Sequence, residues 1–270
     1  MTSARTHLVA TGVGAALVCA ATVGGRQILR QQASVARAAI GKPLGEQALL
    51  SDRTWKKKHG DRVELLLLGD SIAAGLGADS PRQTPGARIA RKLAKRTQRA
   101  VRLHTVAVVG AESSDLESQV ARLPPSYRPD VAVVVVGGND VTHRVPVAES
   151  VRHLVAAVEA LQERGATVVV GTCPDLGALT AVPQPLRALG SRASRQLAAA
   201  QSRAVLLTGA RVVSLAETVG PFFLTMPEEM FSLDRFHPSS LGYKRTAQAL
   251  LPAVHAALEE LHVQSPRQVG

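Results

Sequence analysis

Val63-Glu64-Leu65-Leu66-Leu67-Leu68-Gly69-Asp70-Ser71 is a short apolar run that stops at a glycine, an acid and a serine. A continuous run of this length reads as a strand buried on both faces, and Gly69 permits the tight turn that ends it. Four further runs have the same character: Leu103–Val109, Val131–Val136, Thr167–Gly171 and Arg211–Leu215. Between them lie helical patterns near Ala87–Gln98, Ser114–Leu123, Pro146–Arg164 and Leu186–Ser202, and a last helix follows Pro238 from about Ser239 to Leu261. Strands that alternate with helices predict a parallel sheet covered by helices. The fold class is α/β, with five strands.

In such sheets ligands bind outside the carboxyl ends of the strands. Ser71, Gly110 and Asn139 each fall just past a predicted strand, so separate motifs converge on one edge. Ser71 sits where a loop or helix begins and backbone N–H groups are unpaired. Asn139, in Gly137-Gly138-Asn139-Asp140, offers an amide donor, and Gly110 a backbone N–H with no Cβ in the way. A plain turn accounts for either short motif taken alone.

A serine hydroxyl needs a base, and the base an orienting carboxylate. Among eight histidines, His237 stands three residues after Asp234 at a loop leading into the last helix, so the two side chains can face the same way. His143, four residues after Asn139, is the rival base or a substrate contact. The GxSxG elbow of α/β-hydrolases is absent, because Ala73 stands where its second glycine would be.

These blocks resemble the GDSL-type esterases and lipases of the SGNH hydrolase superfamily. Gly69-Asp70-Ser71 with Gly75, then Gly110, then Gly138-Asn139-Asp140, then Asp234-Arg235-Phe236-His237 occur in the family's order over about residues 62 to 261. The resemblance implies a three-layer α/β/α sandwich of flavodoxin-like type. It also implies Ser71 as nucleophile, His237 as base, Asp234 as its partner, and Ser71, Gly110 and Asn139 as the oxyanion hole. One departure is Ala111-Glu112-Ser113-Ser114 after Gly110, which brings a carboxylate near the site. The expected activity is hydrolysis of carboxylic esters of small to medium acyl chains through an acyl-serine. A carbohydrate or cell-wall O-deacetylase, a thioesterase and a non-catalytic module of the same fold are the alternatives.

All four phenylalanines, Phe222, Phe223, Phe231 and Phe236, cluster with Met226 and Met230 ahead of His237. That segment reads as an acyl pocket or a lipid-facing lid, or as packing of the loop onto the sheet. No HExxH spacing and no Walker lysine occur, so neither metal nor cofactor is expected. Two cysteines, Cys19 and Cys173, give no disulfide framework.

Leu8–Gly25 runs for 18 residues without a charge. Residues 1–25 therefore read as a signal or membrane anchor, 26–60 as a helical linker, 61–262 as the hydrolase domain and 263–270 as a flexible tail. The enzyme is expected to be anchored or exported, with its catalytic domain outside the cytoplasm. The formal net charge is +11, and from Arg82 to Arg102 there are eight Lys or Arg and no carboxylate. This stripe suits an anionic membrane surface or is simply a solvated face; without interleaved aromatics, no nucleic acid partner is expected.

Overall fold

The computed structural model describes residues 24–41 and 43–264. Most of the expected anchor and residues 265–270 of the expected tail lie outside these. A helix over residues 24–40, α1, comes first, and Gly41 ends it. Two-residue β1 (Thr54–Trp55) is followed by β2 (Gly60–Gly69), β3 (Arg99–Thr105), β4 (Val131–Val135), β5 (Thr167–Gly171) and β6 (Arg211–Val213). They form one six-stranded sheet in the order β1-β3-β2-β4-β5-β6, with only β1 antiparallel.

The sheet thus has six strands rather than five. It also begins ahead of residue 61, since Thr54 pairs with Arg102 and Trp55 with Val101. A two-residue strand carries no periodicity, and Arg53 and Lys56-Lys57-Lys58 around it read as linker. Trp55 is nonetheless buried, with the Arg53 guanidinium 4.0 Å above its ring.

Alternation along the central strands feeds two separate cores. Leu65, Leu67, Val131, Val133, Val135 and Val169 face α3 (Pro85–Thr97) and α11 (Ser240–Gln264). Leu66, Leu68, Ala132, Val134 and Val168 face α4 (Leu116–Ala121), α6 (Val147–Glu163) and the far part of α7 (Leu186–Leu207). These two covered faces make the three-layer α/β/α sandwich and explain why the strands read as unbroken apolar runs. The helix α11 reaches Gln264, two residues into the expected tail.

Two short helices stand at the carboxyl edge of the sheet. α2 (Ser71–Ala74) is capped by Asp70, whose side chain accepts from Ile72 N–H, and Gly75 ends it in the left-handed region. α5 (Gly138–His143) opens at the Gly137-Gly138 pair. After β6 come α8 (Leu215–Thr218), α9 (Gly220–Thr225) and α10 (Pro227–Met230), which break the phenylalanine-rich segment into turns.

Gly69, the hinge between β2 and α2, has φ +125°, and a Cβ there would lie 1.8 Å from the Val135 carbonyl oxygen of β4. Backbone cannot yield as a side-chain tip can. Gly69→Ala should destabilise the fold by more than about 3 kcal/mol. A urea midpoint within error of wild type would show that the β2–β4 junction relaxes freely.

Candidate active site

The turn after β2 is fastened from three sides. Buried Gln119 of α4 accepts from Gly69 N–H at 2.8 Å and donates to Gly69 C=O at 2.9 Å. Val108 N–H donates to the same carbonyl at 3.0 Å, and Asp70 N–H to Val135 C=O at 3.0 Å. From below, the buried Tyr243 hydroxyl of α11 donates to Leu76 C=O at 2.6 Å. Ser71 therefore starts α2 on a backbone whose position is set by β4, α4 and α11.

His237 Nε2 lies 2.9 Å from Ser71 Oγ, and His237 Nδ1 lies 2.5 Å from Asp234 Oδ2. The other carboxylate oxygen, Oδ1, accepts from Ser232 Oγ (2.8 Å), Phe236 N–H (3.0 Å) and His237 N–H (2.9 Å). Burial pushes the Asp234 carboxyl up, but the His237 ring and these backbone donors outweigh it and bring it down to about 2. Asp70 behaves oppositely. Burial raises it to about 6, with the Asp140 carboxylate adding to the rise, against donation from Ile72 and Gly138 N–H and the pull of His237.

Asn139, in the first turn of α5, donates one amide hydrogen to Ala111 C=O at 2.9 Å, and among the described residues the second has no partner. Ser113 N–H donates to the Asp140 carboxylate at 3.1 Å and so ties α5 to the loop after β3. That loop holds Gly110, which lies five residues beyond the end of β3, is exposed and adopts φ +85°. Its glycine identity answers to this left-handed conformation, since a Cβ would meet nothing within 4 Å.

A cavity opens beside Ser71, His237 and Asn139, walled mainly by Ile72, Leu176, Leu179, Val219, Phe223, Phe231 and Phe236. Three of the four phenylalanines thus reach it, and Phe223 and Phe231 meet edge-to-face with centroids 4.8 Å apart. Phe222 does not; it packs on the core below the Arg245 guanidinium, 4.4 Å away. Nor does His143, whose exposed Nδ1 pairs with Glu112 Oε1 at 2.6 Å. The structure thus separates His143 from Ser71 as a base and joins it to the carboxylate that follows Gly110. Gly110 likewise stands outside the cavity wall. Cys173, two residues past β5, is fully buried, and burial pushes its thiol well up, so the hydroxyl of Ser71 is the nucleophile candidate at this edge.

The GDSL-like lipase/acylhydrolase family model matches residues 67–245, from the end of β2 into α11. The chain belongs to this family. A GDSL-like esterase of Mycobacterium tuberculosis is 40% identical over 271 residues, which cover 95% of this chain and 85% of that protein. Among solved structures, an acetyl xylan esterase variant from Geobacillus stearothermophilus superposes with TM-score 0.58 at 20% identity, over 73% of this chain and 96% of that one. A lipase/acylhydrolase from Enterococcus faecalis gives TM-score 0.54 at 18% identity, over 72% and 96%. These two likenesses establish the shared fold, while the family match makes the protein an esterase or acylhydrolase.

Sequence reasoning about this GDSL-family chain missed one wall of the cavity. Pro174-Asp175-Leu176 and Ala178-Leu179 belong to the loop after β5, held down by Ser194 Oγ, which accepts from Leu176 N–H at 3.1 Å. An irregular segment has no period to read; its position past a strand end was the available signal. Among the described residues, no group of three or more His, Cys, Asp or Glu could hold a metal ion.

Proposed function

We propose that this protein is a serine esterase that cleaves carboxylic esters of small to medium acyl chains through a covalent acyl-enzyme. The unbroken hydrogen-bond path from Asp234 through His237 to Ser71 Oγ carries this reading. Ser71 Oγ attacks the ester carbonyl as His237 Nε2 takes its proton, and the Asp234 carboxylate steadies the imidazolium. His237 then protonates the leaving alcohol, and water enters by the same route to release the acid. The developing oxyanion is met by Ser71 N–H at the start of α2 and the second amide hydrogen of Asn139; Gly110, the third donor in the family's pattern, stands outside the cavity wall in this structure.

The phenylalanine-lined cavity suits an acyl chain, because its wall offers apolar surface and few polar partners. The exposed Glu112–His143 pair on the Asn139 side favours a second reading, in which the alcohol is a sugar whose hydroxyls meet that pair, as in an O-deacetylase. Residues 1–25 serve as an export or anchoring segment, with the catalytic unit outside the cytoplasm and an anionic membrane surface as a partner.

An ester panel spanning acyl length, acetylated sugars and thioesters, run beside fluorophosphonate labelling, tests the proposal. Labelling confined to Ser71 with preference for acyl esters of simple alcohols supports it; absence of labelling on active protein would refute the acyl-serine. Asn139→Ala should lower kcat by roughly 10²–10³ with little change in KM, since the amide acts on the transition state. A change confined to KM would make Asn139 a ground-state contact.

A further inference from the structure

Exposed apolar side chains are gathered on one end of this molecule. Among the described residues ten large hydrophobic side chains are exposed, and Leu206 and Leu207, which end α7 just before β6 begins, are the two at the amino edge of the sheet. The other eight lie at or beyond the carboxyl edge, the edge at which the cavity opens. Leu49 and Leu50 precede Asp52, whose carboxylate accepts from the N–H of Thr105, the last residue of β3. Leu50 also faces Arg82 across a shallow groove, and Arg82 belongs to the segment between α2 and α3. Val108 follows β3, while Leu224 and Leu233 flank the turns that lead to His237. Leu50 is 80% exposed and Leu233 87%.

The remaining three mark how far this end projects. Gln201 of α7 grips the ends of β4 and β5 through Val136 C=O (3.1 Å) and Cys173 N–H (2.8 Å). Leu186 begins that helix fifteen residues earlier, up to about 22 Å farther out at 1.5 Å per residue. There Leu189 is exposed, and α1, with Ile28 and Val35, is fastened by Gln32, which donates to Gln184 C=O and accepts from Leu186 N–H at 3.0 Å. The uncharged run Leu8–Gly25 leads into the first residues of α1. The middle of α1 is therefore fastened on the same end as the cavity.

We propose that this end is a docking face for an anionic lipid surface, with Leu49, Leu50, Leu224 and Leu233 entering the headgroup region and the cavity mouth turned toward the bilayer. Isolated exposed leucines are ordinary, but eight of ten gathered at the edge where a cavity opens mark an interaction surface. Exposed Arg53 and Arg82 share the groove with Leu50, and exposed Arg235 follows Leu233 by two residues. Carboxylates are present too, Asp79, Glu228 and Glu229 among them, so the leucines set the orientation while the chain's net charge of +11 supplies the long-range attraction. This rests on the membrane partner proposed above and adds which face meets it; it does not depend on the acyl-serine chemistry.

An environment-sensitive dye tests the orientation in the full chain with Cys19→Ser, Cys173 being buried. It is attached in one protein at Leu50→Cys and in another at Leu207→Cys, and each is mixed with phosphatidylglycerol vesicles. The expected result is a blue shift and intensity gain at position 50, none at 207, and a much weaker response at 50 on phosphatidylcholine. No response at position 50 would overturn the proposal, leaving the N-terminal run as a tether alone or a protein as the occupant of this face. Equal responses at 50 and 207, or equal responses on both lipids, would also overturn it. In parallel, Leu49→Glu with Leu50→Glu should slow turnover of a vesicle-borne ester by about tenfold and leave a water-soluble ester unaffected. Loss on both esters would show damage to the fold rather than to docking, and overturn the assignment of these leucines. A wild-type chain inert on both esters would refute the esterase reading while the dye result stood.

Discussion

Ser71→Ala should remove ester hydrolysis by a factor on the order of 10⁴–10⁶ and abolish fluorophosphonate labelling, while the protein remains folded. The fold should survive because Ser71 is held by its backbone rather than its hydroxyl. Gly69 is clamped by Gln119, Asp70 caps α2, and Gly75 and Leu76 N–H both donate to Ser71 C=O. Among the described residues the hydroxyl's one side-chain partner is His237. Removing it leaves the oxyanion donors intact, so residual turnover above the uncatalysed rate is expected. His237→Ala should fall about as far, and the double variant little farther, since the two act as one unit. Circular dichroism and a thermal melt verify the fold, and active-site titration excludes wild-type contamination. Turnover within tenfold of wild type would end the acyl-serine proposal.

How much of this site could be read from the chain depended on whether local sequence or distant packing decides each part. The strands Val131–Val135 and Thr167–Gly171 are legible because a central strand covered on both faces must be apolar throughout, and the structure keeps those bounds almost unchanged. Asp234 and His237 are legible because three residues of loop suffice to bring them together. β1 was not, since its two residues matter only through their pairing with Arg102 and Val101. Nor was α5, since Gly137-Gly138 taken alone marks a plain turn. It forms because the Asp140 carboxylate takes Ser113 N–H and Asn139 holds Ala111 C=O, both on another loop.

The buried glutamines were invisible for the same reason. Gln119 grips the end of β2, and Gln201 the ends of β4 and β5, each serving the backbone donors and acceptors that strands lose where they stop pairing. In sequence they are two polar residues on helices, with nothing local to set them apart. They hold the strand ends that carry Ser71 and Asn139, so part of the precision of this edge comes from residues without any motif.

Asp234→Asn should lower kcat by ~10⁴ with the fold intact. The substitution keeps an oxygen at Oδ1, where Ser232, Phe236 and His237 donate, so the loop before α11 retains its three hydrogen bonds. The change falls on the other atom. An NH₂ in place of Oδ2 faces His237 Nδ1 with a donor, which favours the tautomer with its proton on Nε2, and that nitrogen can no longer accept from Ser71. Stability should shift with pH in a definite sense. Asp234 is held at about 2 against an ordinary 3.8. A depressed carboxylate contributes stability that is fully present above about 4 and is lost as pH falls toward 2. The wild type should therefore lose more stability than Asp234→Asn between pH 4 and pH 2, and neutral-pH turnover should not reflect protonation of Asp234. Chemical denaturation at several pH values and a kcat/KM profile measure both. A loss in kcat below tenfold would mean that another group orients His237, and parallel acid-stability curves would mean that the ionised Asp234 stabilises the fold no more than an amide does.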